Sequence, residues 1–308
     1  MEIVRSLEAN VSRRPTVLTM GKFDGVHLGH RRLINTAVER AAALHMQSAV
    51  LTWEPHPSVV LRPDAPVQRL TSIEEKIELI AALGADMLIV APFTAATKAT
   101  GADAYMRQIT AAVPLRELWV GEDFAMGRGR SGDVTSLIAI GRDLGFTVGA
   151  VRKVLFDGQD VSASRVRELL WAADTAAAAQ LLGRPFGLRG TVVQGDQRGR
   201  TIGFPTANLA LAENHLLPAN GVYACRVDLG DSYVPAVTNI GVRPTFDGLR
   251  RTVEAHLLDW DGDLYGHSIR VDLIQPLRGE RKFNGIEELV AQIGRDVAAA
   301  RQVLAATE

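Results

Sequence analysis

The stretch Val17-Leu-Thr-Met-Gly-Lys-Phe-Asp-Gly-Val-His-Leu-Gly-His30 decides how this chain is read. Its first four residues form a short strand-like run entered from Pro15. Beyond His30, apolar side chains at Leu33, Ile34, Ala37, Val38, Ala41 and Leu44 keep helical spacing. His27 and His30 therefore stand at a strand-to-helix junction. A helix N-terminus there offers unpaired N–H groups and partial positive charge, which are the requirements of a phosphate site. Gly21, Gly25 and Gly29 allow close backbone approach. Two imidazoles at this spacing can face one way and donate hydrogen bonds to phosphate oxygens. Surface decoration and metal binding are the competing uses of such a pair. A zinc site of the usual kind wants i,i+4 histidines or further cysteine and carboxylate ligands nearby, and the chain has one cysteine.

Outward from this stretch, composition describes an ordinary globular chain. Its 308 residues are 47% hydrophobic and 22% charged, enough for two domains. A formal charge of −1 argues against a general nucleic-acid binder. Cys225 stands alone, so no intrachain disulfide forms and a reducing compartment fits. The first fifteen residues carry charges without an apolar core, and no apolar run is long enough to cross a bilayer. A cytoplasmic protein with no membrane or nucleic-acid partner is expected; the oligomeric state is not legible.

Up to about Gly183, apolar strands alternate with amphipathic helices, the pattern of a parallel sheet. Strands are expected at 17–20, 48–53, 86–90, 115–121 and 146–151. Helices are expected after His30, over 72–83 with a Ser72/Glu75 capping box, and over 103–112, 134–144 and 165–173. Ligands of such a sheet gather at the carboxyl ends of its strands. Gly21 to His30, Trp53-Glu-Pro-His-Pro57 and Gly121-Glu-Asp-Phe124 all fall there. Pro55 and Pro57 stiffen the second of these, so it can hold Trp53 and His56, or be only a turn.

Gly127-Arg-Gly-Arg-Ser-Gly132 formally matches a dinucleotide fingerprint, but it follows a late strand and lacks the partner acid about twenty residues on. A mobile basic phosphate loop is the better functional reading, with a plain surface turn beside it. Asp259-Trp-Asp-Gly-Asp263 misses the calcium-loop spacing and reads as a hairpin turn. In Val161-Ser-Ala-Ser-Arg-Val-Arg167, Ser162 and Ser164 can cap the next helix, with Arg167 one turn in.

After Leu182-Gly-Arg-Pro-Phe186 helical periodicity stops, and short strands at 187–194, 221–229, 233–240, 252–258 and 269–274 suggest a small antiparallel barrel closed by a helix over 286–305. Within it, Gly199-Arg-Thr-Ile-Gly-Phe-Pro-Thr-Ala-Asn208 is glycine-rich and ends in hard oxygen donors, Thr206 and Asn208, suited to magnesium carrying phosphates. No Walker motif occurs. Glu254, in Thr252-Val-Glu-Ala-His-Leu-Leu258, shares a strand face with His256 and Leu258. If that face is the barrel interior, its carboxylate must be paired, metal-bound or chemically used; if it is exposed, the carboxylate carries no signal.

Gly21 to His30 resembles the signature shared by nucleotidylyltransferases and class I aminoacyl-tRNA synthetases, in which the histidines stabilise charge on the α-phosphate of ATP. The synthetases' lysine-rich second signature is absent. Instead Val161 to Arg167 resembles the Ile-Ser-Ser-Thr-x-x-Arg element of the nucleotidylyltransferase branch, which grips the departing pyrophosphate. The whole chain resembles the bacterial bifunctional riboflavin kinase and FMN adenylyltransferase (FAD synthetase) family. The resemblance is carried by Gly21 to His30, Glu54-Pro-His-Pro57, Val120-Gly-Glu-Asp-Phe124, Leu182-Gly-Arg-Pro-Phe186, Gly203-Phe-Pro-Thr-Ala-Asn208, Asn239-Ile-Gly-Val-Arg-Pro-Thr245 and Leu264-Tyr-Gly266.

That resemblance implies an α/β chain. Residues 1–183 would form a Rossmann-like nucleotidylyltransferase parallel sheet, and residues 184–308 a small antiparallel β-barrel kinase with a C-terminal helix. Riboflavin would be phosphorylated in the barrel and FMN adenylylated in the sheet domain, with ATP as co-substrate, Mg2+ as cofactor and no tightly bound prosthetic group. It implies catalytic roles for His27, His30 and Glu254. Nucleotide or phosphate binding would fall to Gly21, Phe23, Asp24, Gly25, Asp123, Ser162, Ser164, Arg167, Gly203, Thr206 and Asn208. Thr206 and Asn208 would also hold the metal, and Leu277, Arg278 and Phe283 the flavin. Two positions depart from the family: Ala163 replaces a second serine, and Lys22 replaces threonine or asparagine. The loss at Ala163 is about 1 kcal/mol, more for a bond to a charged oxygen, and Lys22 can offset part of it. A riboflavin kinase with a drifted first domain and a flavin-binding regulator without turnover are the alternatives. Retention of His27, His30, Thr206, Asn208 and Glu254 together argues against the second.

Overall fold

The computed structural model describes residues 1–8, 10–195, 198–245 and 248–307, with the backbone alone at 198, 243–245 and 248–250. The chain divides into two compact units, Met1–Ala163 and Ser164–Glu308.

The principal elements of the first unit are β1 (Glu2–Val4), β2 (Thr16–Met20), α1 (Leu28–Ala43), β3 (Gln47–Glu54), α2 (Ile73–Ala81), β4 (Met87–Pro92), α3 (Ala102–Ala112), β5 (Leu115–Gly121), α4 (Val134–Leu144) and β6 (Thr147–Val151). Six parallel strands lie in the order β1-β4-β3-β2-β5-β6. Five of them are the expected ones. The sixth, β1, is three residues long, too short for a period-two pattern to show. All five residues of β2 are buried, as a central strand covered on both faces requires. One face carries Leu18, Met20 and Leu51 against Tyr105, Met106 and Ile109 of α3 and Leu137 of α4. The other carries Val50, Leu88 and Val90 against Leu33 and Ile34 of α1 and Ile80 of α2. Strand order reverses between β2 and β5, so the crevice at their carboxyl ends is the topological switch point where such sheets bind ligands.

The second unit contains α5 (Ala163–Trp171, whose first residue ends the other unit), α6 (Thr175–Leu182), β7 (Phe186–Val193), β8 (Ala207–Leu211), β9 (Gly221–Asp228), β10 (Tyr233–Thr245), β11 (Gly248–Leu257), β12 (Ser268–Arg278) and α7 (Ile286–Ala305). Two helices that precede the change of texture at Gly183 thus count with the barrel. The strands close into an antiparallel barrel in the order β7-β8-β11-β10-β9-β12, with β12 pairing back to β7. The unexpected strand is β8, whose sequence was absorbed into the glycine-rich motif before it. Leu188, Tyr223, Cys225, Val253, Ala255, Leu257, Val271 and Leu273 are buried along alternating strand positions and fill the interior. On the outside, α7 sets Ala300 and Leu304 against Val222, Ala224, Val237 and Leu258.

One open alternative closes here and one expectation fails. Glu254 points outward, because Val253, Ala255 and Leu257 occupy the interior face of β11. Leu258 shares its face and is nonetheless buried, because α7 covers that part of the outer surface. The segment from Asp259 to Asp263 is no hairpin turn: it joins β11 to β12, which are not neighbours in the barrel. It is a crossing connection, tied to α7 by Arg301 Nη1–Asp259 Oδ2 at 2.6 Å.

Two candidate active sites

In the first unit the chain leaves β2 at Gly21, whose N–H donates to the Leu51 carbonyl at 3.0 Å. A Cβ at Gly21 would lie 3.0 Å from the Phe23 ring, a tight contact that glycine relieves as the ring folds back into the core. The turn continues through positive φ at Phe23 (47°), Gly25 (77°) and Val26 (39°), a conformation that must be held from outside. Residues ahead of α2 hold it. The buried carboxylate of Asp24 accepts from Leu70 N at 2.9 Å and Thr71 N at 3.3 Å, and Gly25 N donates to Thr71 Oγ1 at 3.1 Å. Asp24, expected at the nucleotide, therefore spends an oxygen on the scaffold.

His27 caps α1, its Nδ1 accepting from His30 N at 3.3 Å. That bond leaves Nε2 as the donor nitrogen of a neutral ring. Gly29 leaves room for the cap, since a Cβ there would come 3.2 Å from the His27 ring. The two imidazoles stack with centroids 3.6 Å apart and planes 19° apart, and the Phe23 ring meets His30 edge-on at 5.3 Å. Burial, then the neighbouring His27, Lys76 and Lys22, push the His30 pKa well below that of a free imidazole. His30 is consequently a neutral hydrogen-bonding group in the resting protein, and its Nδ1 is buried without a partner.

Asp123 lies exposed just past β5, across the switch point, and pairs with Lys153 Nζ at 3.1 Å. Lys153 also meets Asp160 at 2.7 Å, and its backbone N–H donates to Glu122 at 3.0 Å. The two aspartates push its pKa up. Ser162 stands immediately before α5, at the N-cap position, whereas Ser164 lies inside its first turn and Arg167 is buried one turn further. Helix α5 therefore begins at Ala163, earlier than the expected 165, and Ser164 is not its cap. Trp53 and His56 serve structure: Trp53 Nε1 donates to Tyr105 Oη at 2.7 Å, and His56 Nδ1 caps the short helix Pro57–Leu61 from Ser58 N at 3.2 Å. The turn at Arg128–Arg130 is docked against the start of α3, with its side chains exposed. A Cβ at Gly127 or at Gly132 would sit 2.6 Å from Ala102, and Arg128 N donates to the Thr100 carbonyl at 2.8 Å. Its glycines serve close packing against the start of α3.

In the barrel, register sets Asn208 of β8 opposite Glu254 of β11, and Glu254 opposite Asn239 of β10, so three polar side chains form one outward row. Glu254 Oε1 accepts from Thr252 Oγ1 at 3.4 Å. The Asn208 side chain occupies the space a Cβ at Gly195 would need. Gly203 turns at φ 86°, and His256 Nδ1 donates to the Pro205 carbonyl at 2.7 Å while its ring meets Phe204 edge-on. Those contacts fix the loop that delivers Thr206. A cavity of about 490 Å3 lies beside it, lined by Arg200, Thr206, Asn208, Trp260, Asp263 and Tyr265 among others. That volume suits a nucleotide-sized ligand. Trp260 carries no sequence signal as a site residue, because the Asp-Gly pair beside it reads as a turn.

Leu277 and Arg278 end β12, and Phe283 lies between β12 and α7. Leu277 packs into the outer apolar cluster. Arg278 is committed to Asp296 through Nε at 3.0 Å and Nη2 at 2.8 Å, and the guanidiniums of Arg278 (5.7 Å) and Arg281 (4.9 Å) both lie over the Phe283 ring. In the motif running from Asn239 to Thr245, the last three side chains lie outside the described residues. No helix among the described residues is long and apolar enough to cross a membrane.

Comparison with known proteins covers both halves of the chain. Residues 9–165 match a family model described as FAD synthetase, and residues 182–304 match one described as riboflavin kinase. The chain is similar to the bifunctional riboflavin kinase/FMN adenylyltransferase of Escherichia coli strain K12, 38% identical over 313 residues that cover 100% of this chain and 99% of that one. It is similar to the protein of the same name from Bacillus subtilis strain 168, 36% identical over 91% of this chain and 90% of that one. A crystal structure described as a macrolide-efflux protein from Streptococcus pneumoniae matches with a TM-score of 0.87 at 26% identity, over 97% of this chain and 98% of that one. The histidine stack falls within one matched segment, the Asn208–Glu254 row falls within the other, and the relatives align along nearly their whole length. The chain belongs to the family of bifunctional riboflavin kinase/FMN adenylyltransferases.

Proposed function

We propose that each unit works as an independent phosphate-transfer centre and that together they convert riboflavin to FMN and FMN to FAD. In the barrel, Glu254 takes the proton of the ribityl hydroxyl as that oxygen bonds to the γ-phosphorus of ATP. The bond from that phosphorus to the bridging oxygen breaks, and ADP leaves. The row that sets Asn208 against Glu254 beside the cavity is the observation that supports this step. The Thr206 hydroxyl and the Asn208 amide oxygen are hard donors that fit Mg2+ arriving with the nucleotide, which supplies charge neutralisation at the transferred phosphate. Phe283 forms an aromatic wall for the flavin, and Arg278, already paired with Asp296, braces that wall. Leu277, in the outer apolar cluster, adds apolar surface for the flavin.

In the sheet unit, a phosphate oxygen of FMN bonds to the α-phosphorus of ATP, the α,β-bridging bond breaks, and pyrophosphate leaves. No proton need be taken from this nucleophile. His27 and His30 donate hydrogen bonds to the α-phosphate where charge builds up. Gly21, Phe23 and Gly25 shape the turn beneath the triphosphate, while Ser162 binds the departing pyrophosphate. Asp123 carries negative charge and suits a nucleotide hydroxyl or amine better than a phosphate. In the barrel, Gly203 gives the phosphate loop its bend. Incubating the protein with riboflavin and Mg-ATP and resolving riboflavin, FMN and FAD over time tests the reading. FMN should rise first and FAD should follow; FMN without FAD would leave only the kinase.

A further inference from the structure

Helix α2 carries the charged run Glu74-Glu75-Lys76-Ile77-Glu78, which reads as a solvated face, yet Lys76 is only 3% exposed. Its Nζ donates to the Lys22 carbonyl at 2.9 Å and lies 3.4 Å from Thr52 Oγ1, which itself donates to the same carbonyl at 3.1 Å. An ammonium is costly to bury, and a chain that buries one uses it. Here it grips the peptide that leads into Phe23, the first positive-φ residue of the signature turn. In a trans peptide the C=O and N–H point opposite ways. Holding the Lys22 carbonyl toward Lys76 therefore turns the Phe23 N–H away from it, and among the described residues that N–H has no acceptor.

We propose that Lys76 is a positioning residue of the adenylyl-transfer site, fixing the Lys22–Phe23 peptide so that the Phe23 N–H faces the incoming polyphosphate. The inference rests on the reading of the sheet unit as an FMN adenylyltransferase. It has a second, electrostatic consequence. His30 is faced by His27 on its own helix, Lys22 on the turn and Lys76 on α2, all of which oppose its protonation. Lys76 in turn is faced by Asp24, Glu54 and Arg69; its own burial lowers its pKa, and the two carboxylates counter that. The buried ammonium thus helps keep His30 neutral until polyphosphate charge arrives to favour the protonated ring.

The test uses the full chain with Lys76→Met, which keeps the stem and removes the charge, and Lys76→Gln, which keeps a donor. FMN formation from riboflavin, a reaction of the other unit, should be unchanged in both. Lys76→Met should lower kcat/KM for ATP in FAD formation by about tenfold or more, as loss of orientation does. Its His30 ring, followed by NMR, should titrate at higher pH than in the parent, and the acid limb of FAD formation should move the same way. Lys76→Gln should recover part of the rate but show the same His30 displacement. If Lys76→Met melts earlier yet keeps the parental rate and His30 titration, Lys76 is a strut and the proposal is overturned. Should Lys76→Met not fold, parental rate and titration in Lys76→Gln overturn it equally. A parent protein that makes no FAD sinks the adenylyltransferase reading itself, before any variant is compared.

Discussion

His30 shows how much a single residue owes to its surroundings. Because its pKa is held below the ordinary histidine value, the unfolded chain binds a proton that the folded chain refuses once pH falls below about 6.5. Stability attached to this group is present above that pH and is lost as pH falls toward the folded value. Urea unfolding should therefore show the parent losing more stability between neutral and mildly acid pH than His30→Gln. Removing the ring with His30→Ala should slow FAD formation on the order of a hundredfold while FMN formation persists; equal loss of both would indicate misfolding. Glu254 is the matching case in the barrel. Glu254→Gln keeps volume and cannot accept the ribityl proton as a carboxylate does, so FMN formation should fall by roughly a hundred- to ten-thousandfold. Riboflavin binding and FAD made from supplied FMN should be little changed, and a near-parental kinase rate would make Glu254 structural. The histidines were legible because glycines and helical spacing frame them. Lys76 was not, because it sits in a charge run and its burial depends on the turn from β2 packing over α2.

At the scale of elements, local pattern succeeded where an element's own apolar residues mark it and failed where a distant element decides what is covered. The strands β2 to β6 and the capping box of Ser72 and Glu75 follow from apolar periodicity and local hydrogen bonding. The orientation of Glu254 could not follow, because Leu258 is buried by α7 and not by the barrel interior. The Asp-Gly signal after β11 misled for a related reason: turn chemistry is local, whereas strand pairing around a closed barrel is not. The glycine-rich turn after β5 is another instance, since Gly127 and Gly132 answer to Ala102 at the start of α3, about twenty-five to thirty residues earlier in the chain. Gly127→Ala would press a Cβ against that backbone at φ 75° and should destabilise the sheet unit by about 1–3 kcal/mol. Its thermal transition should drop while FMN formation is kept. An unchanged transition with a raised KM for ATP in FAD formation would favour the phosphate-loop reading.

At the scale of the whole chain, the change of texture at Gly183 and the division between compact units after Ala163 place the domain boundary differently, and the helices between them decide where a barrel fragment should begin. Texture marks where β-rich sequence starts; it does not mark which apolar surface the barrel needs covered. Helix α6 packs on β7 and β12, burying Ala178, Leu181 and Leu182, and Thr175 Oγ1 donates to the Ile274 carbonyl at 3.0 Å. Removing it would strip two buried leucines, each worth about 1.5–3 kcal/mol. The loss is comparable with much of the roughly 5–15 kcal/mol by which domains are stable. We expect a fragment beginning at Ser164 to fold cooperatively and make FMN but no FAD. One beginning at Arg184 should melt at clearly lower temperature or aggregate, while any folded fraction keeps kinase activity, since Thr206, Asn208 and Glu254 all remain. Equal melting of the two fragments would show that α6 contributes nothing to the barrel. Loss of activity in both, where the full chain works, would show that the kinase centre depends on the first unit.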